Sequence, residues 1–430
     1  MSQEHGRRVF LQRAALGAAG LLSGGYLATA RGYAANETIT LGCIGTGGRC
    51  RQLMEQLKLI PGVRMAAVCD VYKDNIGHGV AIAGEGAYTS QYYEDLLERR
   101  DLDAVLIGTP DHWHVPITVD ACHAGKDVYV EKPLTHDISE GQEVIRVQRE
   151  TGRVVQVGMQ QRSMPHLQEA REVVRNQELG RIIKVHLTWN RNAERTPVSK
   201  AELDPAAIDW QRFLGNAPKQ PFDPYRYRHW RWFWDFGGGI FTDLMVHFID
   251  VAHWYLEQGN PVSAASLGSF FAKEGQWETP DTVQTLLRYP NPEVQVYFEG
   301  TFSNARNAAM MEYMGTDATL YCDRGRYEFH PEARNKAPYR EHVLGSGPRG
   351  ADFFDQPNGE ALHLSNWLEC IRTRATPNAP VEVGVQAAAA AHLANASLRE
   401  GQIAYANAML DRKRPSRVRR RAAPTRARTR

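Results

Sequence analysis

From Glu37 onward, short apolar runs alternate with amphipathic stretches. The stretch "TITLGCIGTGGRCRQLMEQLKLI" predicts a buried strand, a glycine turn and an amphipathic helix, and "VRMAAVCD" predicts a second buried strand that ends at Asp70. The pattern continues with a strand over Val105 to Gly108, a helix over Pro116 to Ala124 and a strand over Asp127 to Val130. Strands that alternate with helices predict a parallel, doubly wound sheet, so we expect this part of the chain to form a Rossmann domain.

Glycines follow the first predicted strand at the spacing of a dinucleotide-binding turn. Gly45, Gly47 and Cys50 occupy the three positions of G-x-G-x-x-G, and Asp70 lies 20 residues beyond Cys50. Gly45 allows a tight turn, and Gly47 lets the backbone approach a pyrophosphate that the helix N-terminus stabilises. Cys50 occupies the position where the motif has its third glycine, and a slight shift of the helix would accommodate its side chain. Because Asp70 suits a ribose 2′-hydroxyl and repels a 2′-phosphate, we predict NAD rather than NADP; the alternative is a coincidental glycine loop.

Two polar runs, "TPDHWH" and "EKP", follow later strands of the same predicted sheet. Ligands of parallel sheets bind beyond the carboxyl ends of the strands, so both runs should face the cofactor. The ammonium of Lys132 would then stabilise negative charge on a substrate oxygen as hydride leaves the carbon. The alternative is an exposed lysine in a turn. The predicted cofactor ligands are Gly45, Thr46, Gly47, Gly48, Arg49, Asp70, Thr109, Pro110, His112, His114, Glu131, Lys132 and Gln160.

The later part of the chain groups its strands together instead of alternating them with helices. The strand-like runs are "IIKVHLTWN", "VSAASLGSFFAK", "DTVQTLLRYP", "EVQVYFEGTF" and "AAMMEYMG". This grouping predicts a second domain of the α+β class. The sequence from His363 then predicts two helices joined by a proline-containing turn.

Ionisable residues recur inside the apolar run "GGGIFTDLMVHFIDVAHW". Asp243, His247, Asp250 and Trp254 are separated by 4, 3 and 4 positions, which predicts one stripe along a helix. Buried ionisable groups need partners, so this stripe is a candidate half of an active site. The alternative is a structural Asp–His pair within the domain contact.

Taken together, these motifs resemble the Gfo/Idh/MocA (glucose-fructose oxidoreductase, inositol dehydrogenase, MocA) family. The resemblance implies an α/β Rossmann domain followed by an α+β domain with a large open-faced, mainly antiparallel sheet. The family often uses that sheet as a subunit interface, which implies a homo-oligomer, a dimer or a tetramer. The expected divisions are a Rossmann domain at 36–155, the sheet domain at 156–360, and C-terminal helices packing near the Rossmann domain at 361–410.

The same resemblance assigns catalytic roles to Lys132, Asp243 and His247. Asp243 and His247 match the family's D-x-x-x-H pair, in which the histidine accepts the hydroxyl proton while the lysine assists. The family often has a glycine shortly after this aspartate. Residues 244–246 of this chain are Leu, Met and Val, so its substrate pocket should be shaped differently.

A carbohydrate is the predicted substrate. The stretch "YRYRHWRWFWDF" places aromatic rings between arginines, which suits pyranose rings or acidic sugars, although a core or interface segment has the same composition. "GMQQRS" offers further donors, with plain surface as its alternative. The predicted substrate-binding residues are Lys132, Gln161, Arg162, Trp234, Asp243 and His247.

The N-terminal sequence predicts export. Arg7 and Arg8 precede a short, weakly apolar run and the small-residue site Ala28-Thr29-Ala30, so residues 1–35 resemble a twin-arginine signal peptide. The run is short for a membrane anchor, and we expect no stable membrane insertion. The predicted partner is the twin-arginine export machinery and the predicted location is the periplasm. That pathway carries folded proteins, so the cofactor should already be bound.

Charge and cysteine content exclude other classes of site. Residues 412–430 carry ten basic and no acidic residues, so a net charge of +2 for the whole chain leaves −8 for residues 1–411. We therefore expect a disordered basic tail at 411–430 on an acidic body, with no nucleic-acid partner. The six cysteines have no metal spacing and are expected to be buried thiols. His112 and His114 lack a carboxylate or cysteine set, so no metal is predicted.

Three functions are compatible with these features. The first is an exported NAD-dependent oxidoreductase acting on a sugar, polyol or sugar derivative with a tightly bound cofactor. The second is redox-neutral glycoside cleavage or epimerisation through a transient keto-sugar, which resembles an NAD-dependent glycosidase branch of the family; that branch tends to replace the EKP lysine. The third is a sugar-binding protein that keeps a cofactor without catalysis, and the intact Lys132, Asp243 and His247 argue against it.

Overall fold

The computed structural model of the protein describes residues 38–192, 203–344 and 359–407. The predicted signal peptide at 1–35 and the predicted basic tail at 411–430 lie outside the described residues. Among the residues it does describe, no helix is both long and apolar enough to cross a membrane.

Six parallel strands form the first sheet. They are β1 (Ile39–Ile44), β2 (Val63–Cys69), β3 (Tyr88–Ser90), β4 (Ala104–Ile107), β5 (Asp127–Val130) and β6 (Val155–Val157). Their order is β3-β2-β1-β4-β5-β6, as in a doubly wound sheet. Every residue of β1, β4 and β5 is buried, because helices cover both faces of a parallel sheet. The prediction of a Rossmann domain is confirmed.

Five helices follow the strands of this sheet: α1 (Gly48–Leu57), α2 (Lys73–Ala83), α3 (Tyr93–Leu97), α4 (His114–His123) and α5 (Glu140–Thr151). Alternate residues of β4 face two separate cores, since Val105 and Ile107 join one apolar cluster and Leu106 joins another. The helix predicted over Pro116 to Ala124 is α4, which begins two residues earlier and ends one residue earlier.

The second sheet has nine strands among the described residues. They are β7 (Ile182–Asn190), β8 (Ser263–Ser269), β9 (Thr282–Pro290), β10 (Glu293–Thr301), β11 (Ala309–Gly315), β12 (Ala318–Cys322), β13 (Arg326–Pro331), β14 (Arg340–Val343) and β15 (Ala404–Tyr405). Their order is β14-β13-β12-β11-β7-β10-β9-β8-β15, with β7 and β10 parallel and the other pairs antiparallel. Along β9, buried residues alternate with exposed ones, so one face of the sheet is covered and the other is open. The predicted open-faced, mainly antiparallel sheet is confirmed.

The remaining helices are α6 (Pro165–Arg175), α7 (Trp210–Leu214), α8 (Pro224–Arg228), α9 (Val246–Leu256), α10 (Gly359–Thr373) and α11 (Val381–Glu400). Trp367 of α10 packs into a core cluster of the first domain. Helix α11 packs against α9 and β8, and β15 then joins the edge of the second sheet. The predicted boundary at residue 155 falls within β6, which pairs with β5 and therefore belongs to the first sheet.

Residues 203–236, here called the bridging segment, connect the second domain to the first. The backbone N–H of Asp209 donates to the carbonyl of Val71 at 2.9 Å. The indole N–H of Trp113 donates to the carbonyl of Phe213 at 3.0 Å. Phe213 also packs with Trp210 and Val71 in one apolar cluster. These contacts hold the bridging segment over the carboxyl ends of the first sheet.

Candidate active site

A cleft of about 550 Å³ lies between the first sheet and the bridging segment. The glycine turn and the ends of β2 and β4 line one side, and the bridging segment lines the other. The lining includes Gly45, Gly47, Gly48, Arg49, Arg51, Asp70, Asn75, Thr109, Pro110, Arg212, Phe213, Tyr227, Arg228 and Arg231. Seven predicted cofactor ligands therefore lie together: Gly45, Gly47, Gly48, Arg49, Asp70, Thr109 and Pro110.

The glycine turn fits a pyrophosphate. Gly45 has a φ of +75°, and a Cβ there would lie 2.7 Å from Cγ2 of Thr109. A Cβ on Gly47 or Gly48 would meet no atom within 4 Å, so the backbone at the start of α1 faces open space. The hydroxyl of Thr109 is buried and has no hydrogen-bond partner among the described residues. Open backbone at a helix N-terminus is suited to binding phosphate oxygens. Thr46 lies behind the turn, where its hydroxyl donates to the carbonyl of Asn75 at 2.9 Å.

Cys50 is accommodated by a glycine on the neighbouring strand end. A Cβ on Gly108 would lie 2.7 Å from the Cβ of Cys50. The close helix-to-strand contact that the third glycine of the motif usually provides is thus made by Gly108. The departure at position 50 does not disrupt the turn.

Asp70 lies at the end of β2 and faces the cleft. Its carboxylate accepts from the backbone N–H of Tyr72 at 2.9 Å and from the side-chain amide of Asn75 at 3.2 Å. Burial raises the pKa of Asp70 to about 6, while these two hydrogen bonds act in the opposite direction. The position and the partners suit a carboxylate that accepts from ribose hydroxyls.

Arg49 and Glu131, both predicted cofactor ligands, pair with each other. The Nε of Arg49 donates to Glu131 at 2.8 Å, and its guanidinium also pairs with Glu360 of α10. Burial opposes the charge on Arg49, but the carboxylates of Glu131 and Glu360 raise its pKa above the usual value. Burial likewise opposes the charge on Glu131, and Arg49 and Lys132 together lower its pKa. Glu131 thus fixes the loop that carries Lys132, and Arg49 borders the cleft.

Lys132 follows β5 and contacts Asp243 twice. Its Nζ donates to the carbonyl of Asp243 at 2.8 Å and to Oδ1 of Asp243 at 3.0 Å. Both side chains are buried. Asp243 lies in a π-helical turn, Phe241–Met245, that precedes α9. The predicted continuous α-helical stripe is therefore wrong at its start, and the structure adds a direct contact between Lys132 and Asp243 that the sequence did not predict.

His247 lies one turn further along, in the first turn of α9. Its imidazole stacks on the indole of Trp189, with ring centroids 5.4 Å apart and an interplanar angle of 28°. Both residues are buried. The indole fixes the plane of the imidazole, as a residue that exchanges a proton in a defined direction requires.

Gln160 and Gln161 lie in a short 3-10 turn after β6. The Oε1 of Gln160 and both amide atoms of Gln161 are buried and have no hydrogen-bond partner among the described residues. An unpaired buried amide is costly, so its presence is typical of a site that binds a polar ligand. Both positions are compatible with the roles predicted for them.

Arg162, predicted to bind substrate, is engaged elsewhere. Its Nε and Nη2 form a bidentate pair with Asp250 at 2.8 to 3.0 Å, and its guanidinium lies over the ring of Trp254. Asp250 is 1% exposed, so its ionised carboxylate is stabilised by the guanidinium of Arg162. The structure therefore corrects the prediction for Arg162, because the guanidinium is committed to a buried ion pair.

Trp234, also predicted to bind substrate, does not line the cleft. Its indole N–H donates to the carbonyl of Glu278 at 3.1 Å, and the guanidinium of Arg399 lies 4.9 Å from its ring. The ring is held at the domain surface by these contacts. The alternative interpretation of the aromatic run, as a packing segment, describes Trp234 better.

His112 and His114, predicted cofactor ligands, lie behind the cleft wall. His112 contacts the carbonyl of Phe213 at 2.7 Å, and burial lowers its pKa to about 3. His114 contacts the carbonyls of Pro133 and Thr109 at 2.7 and 2.9 Å, and burial lowers its pKa to about 4. Three of their four ring nitrogens hold loops in place, and neither histidine lines the cleft, so in this structure they lie one layer behind the predicted contact with the cofactor.

Three residues of this region were not among the predicted site residues. Asp111 is buried, and burial raises its pKa well above the usual range although Lys132 and Arg231 lower it. Tyr227 and Arg231 line the cleft from the bridging segment. Asp111 lies in the motif "TPDHWH", and Tyr227 and Arg231 lie in the aromatic and arginine-rich stretch at 225–236, so both stretches gave a signal. The sequence did not indicate that Tyr227 and Arg231, rather than Trp234, line the cleft.

Across the described ranges, no three or more histidine, cysteine, aspartate or glutamate side chains come together as metal ligands. All six cysteines are buried free thiols. The predicted thiol state of the cysteines agrees with this structure.

Comparison with known proteins covers both domains. Residues 39–159 match the oxidoreductase family model with an NAD-binding Rossmann fold, and residues 167–328 match the GFO/IDH/MocA C-terminal domain. The scyllo-inositol 2-dehydrogenase (NAD(+)) of Bacillus subtilis (strain 168) is 23% identical over 330 residues, which are 74% of this chain and 81% of that protein.

Two further similarities bear on the chemistry and the fold. A glycosyl hydrolase family 109 protein of Solibacter usitatus (strain Ellin6076) is 33% identical over 131 residues, 27% of this chain and 29% of that protein. The solved structure of levoglucosan dehydrogenase in complex with NADH and levoglucosan has a TM-score of 0.68 at 17% identity, covering 86% of this chain and 99% of that chain. The last similarity is one of fold.

Proposed function

The chain belongs to the Gfo/Idh/MocA family of oxidoreductases with an NAD-binding Rossmann domain, and we propose that it oxidises a sugar, polyol or sugar derivative by hydride transfer to tightly bound NAD. One observation carries the proposal. The Lys132–Asp243 pair lies next to a cleft whose glycine turn, Asp70 and Thr109 fit a dinucleotide. Arg231 lines that cleft and contacts Asp243 at 3.2 Å, so the pair and the cleft are adjacent.

The proposed roles follow from the contacts of each side chain. Bound NAD supplies the acceptor for the hydride. Lys132 donates a hydrogen bond to the substrate oxygen and stabilises its negative charge as the C–H bond breaks. His247 accepts the hydroxyl proton, in a plane set by Trp189. Asp243 orients the ammonium of Lys132 through its carbonyl and its carboxylate.

Asp70 supports NAD over NADP as the natural cofactor. Its carboxylate faces the cleft at the end of β2, where a 2′-phosphate would meet like charge. Replacing Asp70 by serine should shift the preference toward NADP, measured as the ratio of the two dissociation constants. An unchanged ratio would mean that another residue reads the ribose.

Substrate class is supported by the relatives. The names scyllo-inositol 2-dehydrogenase and levoglucosan dehydrogenase specify a cyclic polyol and an anhydro sugar. The similarity to a glycosyl hydrolase family 109 protein favours a second candidate, redox-neutral glycoside cleavage. The presence of the Lys132–Asp243 pair ranks oxidation first, because the glycosidase branch tends to replace that lysine.

Export to the periplasm and self-association complete the proposal. Export rests on the paired Arg7 and Arg8 at the N-terminus. Self-association, as a dimer or a tetramer, rests on the open face of the second sheet, where Leu267 is 76% and Leu286 is 43% exposed. Light scattering of the purified protein tests the second point, and a monomer at micromolar concentration would refute it.

The experiment that tests the function begins with the purified native protein. Denaturation should release one dinucleotide per chain, identified by mass spectrometry. The native protein should show rising NADH absorbance when one member of a panel of sugars and polyols is added. Bound NAD that no free sugar reduces, together with release of an aglycone from a glycoside panel, would favour the second candidate. Absence of any bound or bindable dinucleotide would refute both.

A further inference from the structure

We propose that Arg231 is a positioning residue for the reaction, acting on Lys132 through the carboxylate of Asp243. The inference rests on the proposed function, which makes Lys132 the donor to the substrate oxygen. Arg231 comes from the bridging segment and lies in the aromatic and arginine-rich stretch at 225–236, but it was not among the predicted catalytic or substrate-binding residues.

The two cations share one carboxylate oxygen. Oδ1 of Asp243 accepts from Nζ of Lys132 at 3.0 Å and from Nε of Arg231 at 3.2 Å. Asp243 is 3% exposed and Lys132 is 7% exposed, so this contact operates away from bulk water. A planar guanidinium on one side and an ammonium on the other fix the rotation of the carboxylate.

The backbone of Arg231 is held by a glycine that comes just before the π-helical turn. A Cβ on Gly237 would lie 2.9 Å from the Cα and carbonyl oxygen of Arg231, so only glycine permits this approach. The guanidinium lies 4.2 Å from the ring centroid of Trp230, which restricts its orientation. These two contacts place the guanidinium where it reaches both the cleft and Asp243.

The electrostatic consequence concerns how strongly Asp243 holds Lys132. With Arg231 present, the negative charge of Asp243 is divided between two donors. Without Arg231, more of that charge acts on Lys132 and the carboxylate gains freedom to rotate, so the ammonium moves relative to the substrate oxygen. Displacement of about 1 Å in an active site costs on the order of 100-fold in rate.

The test compares Arg231→Ala and Arg231→Lys with the wild type and with Arg226→Ala. Arg226 is the matched control because it lies in the same segment and pairs with Asp235 and Glu278, but it does not reach Asp243. In Arg231→Ala we expect kcat to fall about 10- to 100-fold, with the substrate KM and the NADH dissociation constant little changed. Guanidinium added at low millimolar concentration should restore part of kcat, because the Arg231 side chain is 31% exposed and its place opens to the cleft.

The control separates positioning from folding. Arg226→Ala should lower the melting temperature without a loss of kcat that guanidinium restores. Arg231→Lys keeps a positive charge but lacks the planar set of N–H donors of a guanidinium, so it should show an intermediate kcat. This variant provides the test if Arg231→Ala does not fold. Wild-type kcat in both Arg231 variants, or a loss that guanidinium leaves unchanged, would overturn the proposal.

A crystal structure of Arg231→Ala tests the positioning role of Arg231 separately from the proposed function. If the wild type oxidises no substrate, the proposed function fails, and the geometry of Asp243 in the Arg231→Ala crystal still decides the positioning role. We expect the carboxylate to rotate away from its present contact with Lys132. An unchanged distance of 3.0 Å between Nζ and Oδ1 would overturn the positioning role by itself.

Discussion

Acid should weaken NAD binding through Asp70. Asp70 is 7% exposed, and burial raises the pKa of its carboxyl group to about 6. Ribose hydroxyls donate hydrogen bonds to an ionised carboxylate, so the nucleotide binds the charged form of Asp70 better than the neutral form. Binding therefore requires loss of a proton at any pH below about 6.

The expected size follows from linkage between binding and ionisation. Below the pKa of about 6, each pH unit should weaken NAD binding about tenfold, or about 1.4 kcal/mol. Above pH 7 the dissociation constant should be nearly constant. In the protein without nucleotide, stability changes with pH in the direction opposite to NAD binding. A raised carboxyl pKa lowers the free energy of unfolding as the pH rises from about 4 to above 6, by about 3 kcal/mol for a shift of about 2 units.

Quenching of protein fluorescence by NADH, titrated between pH 5 and 8, measures the effect. Asp70→Asn keeps the size of the side chain and removes the titration. At pH 8 this variant should have a larger NADH dissociation constant than the wild type, and the constant should not change with pH. A wild-type constant that is the same at pH 5 and pH 8 would refute the reasoning. Equal pH dependence in the wild type and in Asp70→Asn would assign the effect to another group.

Three substitutions test other parts of the site. Lys132→Met should leave NADH binding intact and reduce hydride transfer by about 100- to 10,000-fold in single-turnover absorbance measurements; near-normal turnover would remove Lys132 from the mechanism. Arg162→Met should cost about 3 to 5 kcal/mol in denaturant unfolding, because it leaves Asp250 buried without its partner; a raised KM at unchanged stability would restore the substrate role instead. Gly108→Ala should cost about 1 to 3 kcal/mol, and the double variant with Cys50→Gly should lose less stability than the sum of the two single variants; additive losses would contradict the contact between the two positions.

The sequence predicted the first domain well because its signals are local. The strands of a parallel sheet are continuously apolar, and the glycine turn that follows β1 has few other uses. The same reasoning located Lys132, since ligands of such sheets bind beyond the strand ends. Cys50 looked like a departure from the motif. Its compensation by Gly108 was hidden because the two positions lie in different βα units.

The misassigned residues depend on partners that are distant in sequence. Arg162 and Asp250 are 88 positions apart, so nothing local indicates that they pair. Trp234 lies in a run of aromatics and arginines that has the composition of a sugar site. That same composition builds the bridging segment, whose rings must pack on the first domain while its arginines find acidic partners.

The π-helical turn explains why Asp243, His247 and Asp250 do not form the single stripe that their spacing predicts. A π-helical turn has more residues than an α-helical turn, so the spacing of 4 does not keep Asp243 on the face of α9 that His247 and Asp250 share. In the structure, Asp243 pairs with Lys132 and Asp250 pairs with Arg162. The two aspartates thereby acquire different tasks: one orients a group beside the cleft, and the other completes a buried ion pair. The local change of helix geometry thus separates the candidate active site from the structural core, and π-helical turns are frequent at functional sites.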